Sequence, residues 1–115
     1  MDELIGIVRL TFHEGKLEEF KRLSDQAMEI VRTKDSGTLQ YDTFFNDDQS
    51  QAIVVERFRD SAALIQHGAN IGDLSAAVLA TGEVSGELLG NPSDEIRAQL
   101  AGSDQPRLFT PYASM

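Results

Sequence analysis

Glu56 and His67 are the residues of this sequence whose types and positions could carry acid–base chemistry. Glu56 interrupts the apolar stretch Ala52–Phe58 (AIVVERF), where a carboxylate is costly to bury unless it is paired or used. His67 falls early in a predicted helix, where a neutral imidazole could take a proton from a hydroxyl group or orient a bound molecule. Either side chain could therefore act as the proton acceptor of an enzyme.

Both residues also have structural explanations, which the sequence leaves open. Arg9, on the first predicted strand, could neutralise Glu56 across the sheet, since the two strands would be neighbours. A lone histidine on a helix is often structural or exposed, and His13 in a turn is expected to be solvated. The side of the strand that Glu56 occupies is also open, because apolar residues alternate on both sides of it.

Apolar periodicity predicts the elements that must position these residues. We predict strands at Leu4–Phe12, Leu39–Phe45, Ala52–Phe58 and Thr81–Leu89, a helix from Leu17 to about Arg32, and a second helix capped by Asp60 and broken at Gly68 and Gly72 before a stretch at Leu74–Leu79. A short helix from Asp94 to Ala101 and an extended piece, Arg107–Tyr112, are expected to follow. The order βαββαβ predicts an α+β, ferredoxin-like fold with an antiparallel sheet.

Length and patterning predict the domain organisation. The 115 residues suit one domain, with a core at about residues 4–90 and a C-terminal extension, 91–115, that adds the short helix and strand. Both sides of the second and third strands carry large apolar residues, whereas two helices cover only one face of such a sheet. The other face needs a cover, and an identical subunit would supply it, so we expect a homodimer.

Composition excludes several classes of function. With no cysteine and two histidines far apart in the chain, we expect no metal site and no thiolate chemistry. A formal net charge of −9 argues against nucleic acid or an anionic membrane as partner. No apolar run is long enough to span a membrane and no secretory signal is visible, so a cytoplasmic protein is expected.

Several short motifs together resemble the antibiotic-biosynthesis-monooxygenase-like family, which includes proposed quinol monooxygenases. They are Arg9–Phe12 (RLTF), Glu14–Lys16 (EGK), Glu18–Phe20 (EEF), Gly37 with Tyr41 at the start of the hairpin, and Val54–Asp60 (VVERFRD) followed by Ala63, Leu64 and His67. The resemblance covers about residues 4–90. Its most specific part runs from Glu56 to His67.

The resemblance implies a homodimer in which two sheets form an α/β barrel, with a mostly apolar pocket between sheet and helices in each subunit. It also implies oxygenation of a quinol or polycyclic phenol without metal or flavin. His67 and Glu56 would then be catalytic. The side chains expected to contact this apolar or aromatic substrate are Phe58, Tyr41, Phe44 and Val8. Tyr41 and Phe44 lie on opposite sides of their strand, so at most one of them can line the pocket.

Some members of the family degrade haem, with an Asn on the first strand, a Trp at the end of the third and a His on the second helix. Val8 and Phe58 occupy the first two positions here, which argues against haem chemistry, and no cofactor is expected. Two other functions stay open on this fold. One is a non-catalytic, ligand-binding or stress-related dimer whose pocket holds an apolar molecule; the other is an isomerase or lactone reaction that needs one positioned acid or base.

Overall fold

The predicted βαββαβ order is present, followed by a fourth helix and a fifth strand. A computed structural model describes residues 2–115 of the chain. The elements are β1 (Leu4–Phe12), α1 (Leu17–Lys34), β2 (Thr38–Phe45), β3 (Gln51–Phe58), α2 (Ser61–Ile71), α3 (Leu74–Leu79), β4 (Gly82–Leu89), α4 (Asp94–Leu100) and β5 (Arg107–Phe109). Within residues 2–115, no helix combines the length and the apolar character needed to cross a membrane.

The strands form one sheet in the order β2-β3-β1-β4-β5. Each neighbouring pair among the first four is antiparallel, while β5 runs parallel to β4 and makes the sheet mixed. In the centre of the sheet, Gly6 of β1 pairs with Glu56 of β3 on one side and with Leu88 of β4 on the other. The α+β, ferredoxin-like prediction is confirmed, and the open sheet gains an additional parallel edge strand.

One face of the sheet packs against the helices, because strand side chains alternate between the two faces. Even-numbered residues of β1 and β3 point to this face, and two apolar clusters form on it. One cluster contains Leu4, Phe58, Ala63, Leu88 and Ile96; the other contains Leu10, Phe20, Ala52 and Val54. Glu56 shares this face with Val54 and Phe58, so its carboxylate lies on the helix side of the sheet.

The second helix differs from its predicted form. Asp60 caps it as expected, since its carboxylate accepts a hydrogen bond from the Ala63 backbone N–H at 2.9 Å. Of the two expected breaks, the one at Gly68 is wrong, because the helix passes through it; the one at Gly72 is present, since α2 ends at Ile71 and Gly72, with a φ of +54° that suits a residue without a side chain, separates it from α3. His67 is consequently held on a continuous helix.

The opposite face of the sheet has no helix over it within residues 2–115. Phe44, Ile53 and Phe109 are among its side chains and are 53%, 39% and 48% exposed. Arg9 also lies on this face, where it forms an ion pair with Glu87 of β4. The alternative in which Arg9 neutralises Glu56 is therefore wrong, because the two side chains point to opposite faces of the sheet.

Candidate functional site

A cavity of about 550 Å³ lies between the helix face of the sheet and helices α2, α3 and α4. Three glycines border it: Gly6 and Gly86 on the sheet side and Gly68 on α2. A Cβ at Gly68 would meet no atom within 4 Å, and one at Gly6 would meet only Glu56 Cβ, at 3.7 Å. The missing side chains at these two positions thus provide part of the space for a ligand.

The cavity walls are mainly aliphatic, with one aromatic ring, that of Phe58. The aliphatic side chains include Val8, Leu64, Ile65, Leu79, Val84, Leu88, Ile96 and Leu100. Such a lining favours an apolar ligand whose orientation is set by a few polar groups.

Glu56 supplies a carboxyl group to this apolar cavity. Its side chain is 15% exposed, and its neighbour on β1 is Gly6, which has no side chain to cover it. Burial raises the pKa of the Glu56 carboxyl above its ordinary value, and the negative charge of Asp35 adds to this, although His67 acts in the opposite direction. The protonated form of Glu56 is consequently favoured over a wider pH range than for an exposed glutamate.

His67 contacts Glu56 from α2 and is not among the residues that line the cavity. Its ring packs between Tyr41 and Phe58, with centroid distances of 5.5 and 5.2 Å. Its Nε2 is 3.5 Å from Glu56 Oε1, and its Nδ1 is 2.7 Å from Oδ2 of Asp35. His67 therefore connects two carboxyl groups through its two ring nitrogens.

Asp35, in the turn between α1 and β2, is a residue that sequence reasoning missed. Its side chain is 1% exposed and accepts hydrogen bonds from Thr38 Oγ1 at 2.7 Å and Asn70 Nδ2 at 2.9 Å, besides the contact with His67. Burial alone would raise the pKa of Asp35, but the three hydrogen bonds outweigh burial and lower it. Asp35 is therefore a carboxylate at neutral pH, so Nδ1 of His67 must be the donor.

The turn that carries Asp35 is docked on helix α2. Gly37 packs so closely on this helix that a Cβ at its position would lie 2.4 Å from Ala63 Cβ. The Gln66 side chain accepts hydrogen bonds from both the backbone N–H and the hydroxyl of Ser36, each at 3.0 Å. These contacts fix Asp35 against α2.

Asp35, His67 and Glu56 form a chain suited to proton transfer. Since Asp35 holds the proton on Nδ1, Nε2 of His67 faces the Glu56 carboxyl and the two groups can share one proton. Their separation of 3.5 Å is at the upper limit for a hydrogen bond. At the cavity surface, Glu56 can thus donate or accept a proton, with His67 and Asp35 stabilising the charge.

The chain of three groups is not arranged as a metal site. Within the described part of the chain, no set of three or more His, Asp or Glu side chains is placed to hold a metal ion. Asp35 and Glu56 contact opposite nitrogens of the His67 ring, and therefore do not converge on one point.

The other residues predicted to contact a ligand do not all lie on the same face of the sheet. Val8 and Phe58 line the cavity together with Glu56. Tyr41 lies on the same face but packs on His67, outside the cavity lining, and burial raises the pKa of its hydroxyl. Phe44 points to the opposite face, so the structure does not bring it to this cavity.

Solved structures with the same fold give an independent comparison. MupZ from Pseudomonas fluorescens aligns with a TM-score of 0.83 and 23% identity, covering 100% of this chain and 94% of MupZ. Rv0793 from Mycobacterium tuberculosis aligns at 0.68 and 22%, covering 80% and 96%. SnoaB from Streptomyces nogalater, described as a cofactor-independent oxygenase, aligns at 0.66 and 18%, covering 76% and 91%. These likenesses show that the chain shares its fold with all three proteins.

A sequence comparison identifies the family. A search of curated proteins found no match. The family model described as antibiotic biosynthesis monooxygenase matches residues 4–70, a segment that runs from β1 into α2 and contains Asp35, Glu56 and His67. More than half of the chain is thus covered by that model. The chain belongs to the antibiotic biosynthesis monooxygenase family.

Proposed function

We propose that the protein is a cofactor-independent monooxygenase that acts on a quinol or another phenolic small molecule. The observation that carries this proposal is the Glu56 carboxyl, placed in an apolar cavity and backed by His67 and Asp35. Family membership supports the reaction class, and SnoaB, which shares the fold, is a cofactor-independent oxygenase.

Proton removal is the step that this site would catalyse. A phenolic hydroxyl bound at Glu56 gives its proton to the carboxylate, and His67 accepts that proton in turn through Nε2. The resulting phenolate is electron-rich enough to react directly with molecular oxygen. One oxygen atom is then retained by the product and the other leaves as water, with all of the electrons coming from the substrate.

Asp35 acts in this proposal as a positioning residue. Its hydrogen bond to Nδ1 sets the tautomer of His67, and its negative charge stabilises the imidazolium that forms when His67 takes the proton. The aliphatic walls exclude water, which strengthens these electrostatic interactions. General acid–base catalysis of this kind contributes about 10²- to 10⁴-fold to a rate.

Oxygen uptake tests the proposal. The protein is incubated with a panel of naphthols and naphthohydroquinones, and uptake above the buffer rate is expected for at least one of them. Glu56→Gln and His67→Gln should each lower that rate about 100-fold. Glu14→Gln and His13→Gln, both exposed in the β1–α1 turn, are the matched controls and should leave it unchanged. Saturable binding without any oxygen uptake would instead favour a non-catalytic ligand-binding protein.

A second candidate function is acid–base isomerisation of a neutral ligand. The favouring observation is that one cavity group, Glu56, has a raised pKa and lies 3.5 Å from Nε2 of His67, so that two groups able to exchange a proton are in place. This reaction needs no oxygen. Exchange of deuterium into an enolisable ketone under argon, lost in Glu56→Gln, would distinguish it from oxygenation.

A further inference from the structure

The C-terminal segment builds the wall of the cavity that lies across the sheet from Glu56. Ile96 of α4 is 3% exposed and belongs to the core cluster on the helix face. Strand β5 pairs with β4 through Leu88 and Leu108. Before β5, the side chain of Gln105 continues this pairing, because its amide oxygen accepts a hydrogen bond from Gly86 N–H at 2.9 Å. The wall is therefore part of the folded domain, although the family model ends at residue 70.

Two glutamine amides on this wall line the cavity. The amide oxygen of Gln105 is used by Gly86, whereas its amide nitrogen makes no hydrogen bond to residues 2–115. Gln99 of α4 lines the same cavity and is exposed. The wall consequently offers N–H donors to a bound molecule.

The charges around the cavity restrict the ligand further. Within residues 2–115, no lysine or arginine lines it, while Glu56 and Glu87 do. A ligand bearing a carboxylate or phosphate would lose its hydration without gaining a cation to pair with. The cavity therefore selects for a neutral molecule.

The sheet register sets the spacing between the two polar regions. Glu56 on β3, Gly6 on β1 and Leu88 on β4 lie side by side, and Gly86 precedes Leu88 on the same face of β4. Neighbouring strands are about 4.8 Å apart, and Gln105 lies beyond β4 at the position of the next strand, so Glu56 and the Gln105 wall are about three strand spacings, or about 14 Å, apart. A ligand that contacts both must span this distance.

We propose that Gln105, assisted by Gln99, determines specificity by binding a hydrogen-bond acceptor on the far end of the substrate. The ligand is a neutral, largely apolar molecule with a hydroxyl group at Glu56 and a carbonyl oxygen at the glutamine wall. This assignment rests on the function proposed above only in placing the hydroxyl at Glu56.

Three naphthols that differ at one position test the assignment by isothermal titration calorimetry. The probes are 6-acetyl-2-naphthol, 2-naphthol and 6-hydroxy-2-naphthoate. The acetyl compound should bind about fivefold more tightly than 2-naphthol, as expected for one net hydrogen bond, and the carboxylate should bind most weakly.

Gln105→Glu is the informative variant because its carboxylate still accepts from Gly86 N–H but has no amide donor. It should remove the fivefold advantage of the acetyl compound and leave the affinity for 2-naphthol unchanged. Gln99→Glu, at an exposed position of α4, is the second variant. It should reduce the higher affinity for the acetyl compound and leave the hydrogen bond between Gly86 and Gln105 intact. Gln26→Glu, exposed on α1, is the matched control.

Two results would overturn the assignment. One is an acetyl advantage that persists in both glutamate variants; the other is a carboxylate probe that binds as tightly as the ketone. These measurements need no oxygen, so a protein that binds as expected but consumes no oxygen would contradict only the proposed monooxygenase activity. Oxygen consumption with equal affinity for all three probes would contradict only the role of Gln105.

Discussion

Two buried carboxyl groups in contact with one histidine have pKa values shifted in opposite directions. Asp35 receives hydrogen bonds from Thr38, Asn70 and His67, which favour its charged form. Burial dominates at Glu56 and favours its neutral form. Environments that separate the pKa values of neighbouring titratable groups are a common basis for assigning acid and base roles. Here they indicate that Asp35 holds a fixed charge while Glu56 exchanges the proton.

The raised pKa of Glu56 predicts a pH-dependent stability difference. The folded state holds the Glu56 proton more tightly than the unfolded state, so the wild type loses stability as pH rises through the folded-state pKa. Glu56→Gln, which cannot ionise, should gain stability relative to the wild type over that range, by about 1.4 kcal/mol per unit of pKa difference. Urea unfolding at several pH values from 4 to 8 measures this, and a constant difference would contradict it.

The effect of Asp35→Asn on the free energy of unfolding should depend on pH in the opposite sense. The lowered pKa of Asp35 contributes stability above its unfolded-state pKa, and this contribution is lost as pH falls through the folded-state value. The variant should unfold about 2 kcal/mol more easily at pH 7, because donors from His67, Asn70 and Thr38 lose a charged acceptor. The penalty should shrink near pH 3. Asp47→Asn, exposed in a turn, is the control and should change little.

The residue types identified part of the site and could not identify the rest. Glu56 stands out because a carboxylate within an apolar strand is costly to bury, and His67 stands out because it ends the motif that resembles the family. Asp35 stands in a cluster of turn-forming residues, where a solvated side chain is the ordinary expectation. It is buried by the docking of its turn on α2, through contacts such as Gly37 with Ala63 and Ser36 with Gln66, and contacts between distant segments have no local sequence signal.

Helix α2 contains a glycine that leaves space in the cavity but is unfavourable for the stability of the helix. Glycine in a helix interior costs about 1 kcal/mol relative to alanine, yet Gly68 lies within α2 beside the cavity. Gly68→Ala should therefore raise the free energy of unfolding by about 1 kcal/mol, since the added Cβ meets no atom within 4 Å. Thermal unfolding measures this, and a destabilised variant would contradict it.

A larger side chain at Gly68 should close the cavity. In Gly68→Leu the side chain would extend into space that is now empty, so 2-naphthol should bind at least about tenfold more weakly while the protein stays folded. Ala62→Leu is the matched control, because Ala62 is exposed on the same helix and does not line the cavity. Unchanged binding in the glycine variant would show that the ligand lies elsewhere.

Periodicity predicted the helices and strands well because each has a strong apolar pattern. It placed the end of α1 at Arg32 rather than Lys34 and expected α2 to break at Gly68, since a single glycine is a breaker in sequence but is tolerated in a packed helix. No sequence pattern predicted that Gln105 lies at the cavity. Its position depends on a side-chain hydrogen bond to Gly86, between segments joined by α4.

At the scale of the whole molecule, the uncovered sheet face predicts self-association. Phe44, Ile53 and Phe109 are exposed on it, with Ile5 and Ile7 half-buried on β1. Apolar side chains exposed on an uncovered sheet face commonly mark an interaction surface, and the Arg9–Glu87 ion pair shares this face with them. A second copy fits because the same apolar face on both subunits can be buried around a two-fold axis. We therefore expect a homodimer formed sheet to sheet, with the cavities on the outer, helix-covered sides.

Light scattering after size exclusion tests the dimer. The test and control variants replace two isoleucines of similar exposure that lie on opposite sides of the sheet. The wild type should have about twice the 12.6 kDa mass of one chain. Ile53→Lys should shift it toward the monomer, because a lysine buried in an apolar interface has no partner. Ile65→Lys is the control: Ile65 is 37% exposed, against 39% for Ile53, but lies on α2 on the opposite side of the sheet. If both variants keep the dimer mass, or if the wild type is monomeric at micromolar concentration, the subunits do not associate through this face.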